Sequence, residues 1–214
     1  MFARFMKIAL VALMVLALPH AALAAATPQQ AEKVASKMLD LTKVVDAIQT
    51  QIDATLTSMN DLAKPEGDLV AKYKTFSANV DKLDKGAQKA KSAAESAASK
   101  REQYLKEWQA SQGQIQNEQL KSASEARRAE LMPKIEAIKT SLGSARDTYT
   151  PFMQDLKDLK VFLGTQLNPG GVAAAAALFE KCNSAGEKVK SDLTAGNVAI
   201  KDLASSIAPS AAKK

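Results

Sequence analysis

The chain has 214 residues, and its 29 Lys and Arg outnumber 23 Asp and Glu for a formal charge of +6. Glycine, proline and aromatic residues are few beside alanine and lysine, which favours long helices over a mixed fold. A lone cysteine, Cys182, excludes an internal disulfide framework.

Residues 1–24 read as a secretory signal peptide. Arg4 and Lys7 form a charged start, an apolar run follows at 8–18, and Ala22 and Ala24 give a small-residue cleavage pattern. A second register at Ala24 and Ala26 is equally regular. The run is short of the ~20 residues of a membrane span, which argues against an uncleaved anchor. Cleavage would remove Arg4, Lys7 and His20, the only histidine, and lower the formal charge from +6 to +4.

Four segments then carry apolar residues in alternating steps of three and four, the repeat of supercoiled helices. They predict helices at about 28–64, 68–117, 122–164 and 171–207, with a flexible tail at 208–214. The first seam runs from Val34 through Met38, Leu41, Val45, Ile48 and Ile52 to Leu62. Thr27 to Gln30, "TPQQ", reads as a capping box with proline in the first turn. "KPEGD" at 64–68 ends this helix.

The second seam starts at Leu69, Tyr73, Phe76, Val80 and Leu83. It keeps phase through Ala87, Ala90, Ala94 and Ala97 to Tyr104 and Trp108, with Arg101 as its one charged position. The alanine-rich stretch 85–100 is therefore read as a slim packed helix, not a tail. "SASE" at 122–125 is a capping-box candidate opening the third helix. Its seam passes unchanged through Pro133 and Pro151, so kinks are expected there. "NPGG" at 168–171 is a turn into the fourth helix, whose seam includes Val172, Phe179, Cys182, Gly186 and Gly196.

Short connections make neighbouring helices antiparallel. Folding at the turns sets Ile48 against Ala87, Trp108 against Leu131, Phe152 against Ala87 and Gly186, and Leu142 against Gly196. Small residues facing large ones are how a core reaches native density. The expected fold is all-α: an elongated antiparallel four-helix bundle or coiled coil with heptad seams. Cys182, on a seam opposite Leu156, is expected to be buried and inert.

No catalytic, cofactor or metal site emerges. A mature chain without histidine has no Ser-His or Cys-His pair. Clustered zinc ligands are absent, and "LNPGG" lacks the lysine of a phosphate loop. The carboxylate pairs Asp81 with Asp84 and Asp155 with Asp158 read as a solvated helix face. Lys82, Lys85, Lys89, Lys91, Lys100 and Arg101 are interrupted by Asp81, Asp84 and Glu95 without interleaved aromatics, which disfavours nucleic acid. An anionic envelope surface fits the lysines better, beside their ordinary solubilising role. No small-molecule substrate is apparent, and the oligomeric state is not written in the sequence.

The candidate partner surface is the hairpin between the second and third helices. The apolar seam thins there and glutamines take over. Trp108 stands at its edge as an anchor residue, and Arg127 and Arg128 on the returning helix suit an acidic partner.

Four words, "LKEW" at 105, "IQNEQL" at 115, "ARRAEL" at 126 and "LKVFLGTQLNPGGV" at 159–172, resemble an exported, helical bacterial family, the domain of unknown function 2959. Members carry Lys-His in the fourth word; Gly164, Thr165 and Gln166 stand there in this chain. The resemblance implies a helical, envelope-associated protein and transfers no site residue. The expected function is that of a non-enzymatic, periplasmic or otherwise exported structural or interaction protein with a protein partner. A holdase-like chaperone is the alternative, and an envelope enzyme a distant third.

Overall fold

The computed structural model describes residues 27–64 and 66–208. The signal peptide read at 1–24 lies outside them, as does the tail beyond Ala208. The described residues are all-α, with five helices: α1 (Pro28–Leu62), α2 (Leu69–Gln112), α3 (Glu118–Thr165), α4 (Pro169–Ala174) and α5 (Ala176–Ile207).

Each helix start has a local chemical cause. Thr27 caps α1 with a complete capping box: its hydroxyl accepts from the Gln30 N–H at 3.3 Å, and its own N–H donates to Gln30 Oε1 at 2.6 Å. Asp68 caps α2 by accepting from the N–H groups of Val70 and Ala71. Gly67 precedes it at φ 78°, a conformation that costs glycine little and other residues more. Asn168 caps α4 by accepting from the Gly171 N–H at 3.0 Å. Gly171 is obligatory there, because a Cβ would lie 2.0 Å from the Gln166 carbonyl oxygen.

Four boundaries differ from the sequence reading. The third helix opens at Asn117, whose side chain accepts from Gln119 and Leu120 N–H, so Ser122 lies inside α3 and caps nothing. Asparagine is as good a cap as serine, and this one comes first in the chain. Helix α2 accordingly ends at Gln112. The last helix is interrupted for one residue at Ala175, whose N–H is shared between the Gly171 and Val172 carbonyls at 3.1 and 3.2 Å. That tightening leaves the apolar phase intact, since Val172, Ala175, Phe179 and Cys182 are all buried. Ala208, assigned to the tail, is buried and hydrogen-bonded back to the Ala204 carbonyl.

Helix α3 runs unbroken through Pro133 and Pro151. Each removes a donor and costs about 3 kcal/mol or more in a helix interior. Both sit on the solvent side, as do the residues one turn earlier, Ala129 and Asp147, so the orphaned carbonyls lie on the wet face. Buried Leu131, Ile135, Phe152 and Leu156 hold the helix on either side of them.

Packing follows the seams. Helix α1 packs along both α2 and α5, and α3 packs along α5; α2 and α3 meet much less. Every apolar seam position of α1 from Val34 to Leu62 is buried, as is Thr55, whose hydroxyl donates to the Gln51 carbonyl at 2.7 Å. Phe152 is fully buried beside Gly186, where a Cβ would sit 2.8 Å from Leu56 and 3.3 Å from the Phe152 ring. Gly196 gives Leu142 the same room, with 3.0 Å between that methyl and a built Cβ. The core forms two clusters. One is centred on Ile52, Phe76, Phe152 and Leu159, the other on Met38, Leu131, Ile138 and Leu203.

Candidate functional site

The α2/α3 seam changes character along its length. At one end Phe76, Val80 and Leu83 are buried, and at the other Tyr104 and Trp108 pack against the second cluster. Between them the seam residues are Ala87, Ala90 and Ala94, all half-buried, followed by the buried Ala97 and Arg101. The large side chains at both ends set the distance between the helices, and a stiff helix cannot sag inward between them. Methyl groups are then too short to close the gap. Phe152 packs on Gly186 as expected, while Ala87, expected to meet Phe152 as well, is half-buried and lines an open space that Phe152 does not line.

The result is a trough of about 500 Å³. Ala87, Ala90 and Ala94 form one wall, and Leu142, Ala145 and Tyr149 the other. Its floor is Val45 and Ile48 of α1 with Val189 and Leu193 of α5. Asp84, Lys91, Glu95 and Arg146 stand at the rim. A further compartment of about 280 Å³ continues it, sharing Leu41, Ala94 and Leu142 and reaching Ala97, Ile138 and Arg101. Such volumes and such an apolar lining with a few polar groups are those of ligand pockets.

Each end carries a polar group. Tyr149 is committed: its hydroxyl lies 3.3 Å from the Leu83 carbonyl, to which it donates. Burial, helped by the nearby Asp84 carboxylate, pushes this phenol well above its ordinary value. Arg101 is not committed. The residue is only 8% exposed, yet its Nε has no hydrogen-bond partner among the described residues. Its Nη2 is 3.6 Å from the largely exposed Glu102 carboxylate, an ion pair too long for a hydrogen bond. The sequence reading missed the trough and found no small-molecule site. The signal available to it was Arg101, a lone charge on an apolar seam, next to a run of alanines.

The hairpin residues singled out from sequence lie at one end of the molecule. Trp108 is half-buried; its ring lies 6.0 Å from that of Tyr104, and its Nε1 donates to Ser124 Oγ at 3.0 Å. Its indole N–H thus reaches Ser124, about two turns before Leu131, while the residue packs against the core cluster that holds Leu131. Arg127 is exposed but engaged, donating to Glu130 at 2.9 Å and to the Ser206 carbonyl at the end of α5. Arg128 is half-buried. Trp108 and Arg127 thus share an end of the molecule with Tyr104, whose phenol burial pushes up and the Arg127 charge partly brings back.

Cys182 is fully buried and free, and burial, with Asp155 adding, pushes its thiol up to about 12. Asp155 is itself paired with Lys181 at 2.8 Å. Among the described residues no group of His, Cys, Asp and Glu could hold a metal ion, and no helix is long and apolar enough to cross a membrane.

No curated protein and no solved structure matches the chain. The family described as protein of unknown function, DUF2959, matches residues 29–209, the whole helical region with the hairpin and both walls of the trough. The chain therefore belongs to the DUF2959 family.

Proposed function

We propose that this chain is an exported, non-catalytic binding protein of the bacterial envelope, acting by contact through the α2/α3 trough. In this reading the helices form an elongated antiparallel four-helix bundle with heptad seams, α4 and α5 making one rod. The observation that carries the proposal is the contrast between seams. The α1/α5 and α3/α5 seams are closed, with large side chains seated on one another or on Gly186 and Gly196, while α2/α3 is left open over an apolar floor. A folded protein gains nothing in stability by keeping such a surface open, and concave apolar clefts with a few polar groups are where ligands bind. The leader pattern at 1–24 supports export.

The test is photo-crosslinking in living cells with a reactive residue at Ala90, in the trough, or at exposed Ser99 as control, together with cell fractionation. The proposal expects a processed chain in the envelope fraction and adducts from Ala90 that Ser99 does not give. An unprocessed cytoplasmic chain, or identical adducts from both positions, overturns it. A holdase would differ by suppressing aggregation of unrelated unfolded proteins through the same trough.

A further inference from the structure

Resting on the trough as the contact site, we propose that its occupant is a single long-chain fatty acid anion, its hydrocarbon along the alanine wall and its carboxylate on Arg101. Three features select this chemistry. The first is length. Ala87 to Arg101 spans about 21 Å of helix at ~1.5 Å per residue. An acyl chain in one leaflet fills about half of a hydrocarbon core ~30 Å thick, so a single extended chain fits. The second is the lining. Alanine, valine, leucine and isoleucine dominate it, and Tyr149 at the far end spends its hydroxyl on a backbone carbonyl.

The third is Arg101. An arginine only 8% exposed, its side chain 10% exposed, with its Nε buried and unpartnered and one loose ion pair to Glu102, is an unfinished arrangement. Buried charges are ordinarily paired and hydrogen-bonded, and a guanidinium presents parallel donors that match a carboxylate. The residue sits at the end of the apolar compartment, where the head of a chain lying in the trough would arrive. Its depth favours a compact carboxylate over a glycerophosphate head, which would have to leave through the charged rim.

The experiment uses the exported chain and the fluorescent probe dansyl-undecanoate, displaced by hexadecanoate. Wild type should bind the probe and release it to hexadecanoate. Arg101→Gln should bind about tenfold more weakly or worse, the scale of a lost charge-assisted hydrogen bond, with Arg101→Lys in between. Methyl hexadecanoate, which has no charge, should compete poorly with wild type and no worse with Arg101→Gln. Ala87→Leu combined with Ala94→Leu should abolish binding by filling the trough, and does so independently of how well Arg101→Gln folds. Failure of wild type to bind overturns the proposal, as does unchanged binding in either variant. So does stronger displacement by lysophosphatidylglycerol than by hexadecanoate. A dimer in sedimentation that the leucine pair dissociates would give the trough to a second copy and likewise overturn it. Loss of fatty acid binding with trough-specific cellular adducts intact sinks this inference alone; loss of both sinks the parent reading.

Discussion

Replacing Ala87 by leucine separates an open seam from a closed one by the sign of a stability change. In a closely packed layer the added methylenes would force side chains off their rotamers and cost about 1–3 kcal/mol. Ala87 instead borders the trough and is half-buried. Leucine adds three carbons, each worth about 0.8 kcal/mol when fully buried, and with half of that surface covered the gain is about 1 kcal/mol. Leucine is nearly as good a helix former as alanine, so propensity takes back only a small part. Urea unfolding followed by helical circular dichroism reads the difference as a shift in midpoint at constant slope. A higher midpoint for Ala87→Leu is expected. A drop of 1 kcal/mol or more would show that the alanines are packed and that no trough exists.

Gly143→Ala should stabilise by about 1 kcal/mol, since a Cβ there meets nothing within 4 Å and glycine weakens a helix interior; the same urea titration measures it. Cys182 should resist alkylation at pH 8 in the native state and react fully in urea, because its thiol is buried and raised to about 12. Asp192 accepts from Lys188 at 2.6 Å, from Ser144 at 3.1 Å and from Thr148 at 3.2 Å, joining α5 to α3, and these hold its carboxyl below the usual range. A lowered folded value means the stabilisation is present above the ordinary carboxylate value and is lost as pH falls through the lowered one. Asp192→Asn should therefore lower the melting temperature at pH 7, and the gap to wild type should shrink on acidification toward pH 2; a gap constant with pH would refute the assignment.

Large residues were the readable part of this sequence. The α1 seam and the pairing of Phe152 with Gly186 followed from periodicity, because a bulky side chain on a phased seam has one low-energy place to go; the Thr27 capping box followed from its spacing to Gln30. Alanine carries no such information. Ala87 and Ala94 keep the same phase as Val80 and Leu83, but phase states direction and leaves distance open. Whether a methyl touches a neighbour depends on how far apart larger residues elsewhere hold the two helices. The start of α3 was misread for a local reason: Asn117 and Ser122 are both competent caps, and only the length of the turn after Gln112 chooses between them. Arg101 was visible as a charged seam position, but its missing partner is a property of the packed molecule.

The openness of the α2/α3 seam can be measured directly, because the native cysteine is buried. In Ala90→Cys the introduced thiol would be the only accessible one, and Val80→Cys, at a position 1% exposed on the filled part of the same helix, supplies the closed reference. Alkylation in the native state should proceed readily at Ala90→Cys and be blocked by hexadecanoate, while Val80→Cys stays unmodified until the protein unfolds. An Ala90→Cys thiol as inert as that of Val80→Cys would mean the helices close over the alanine stretch, and the trough and everything built on it would fall.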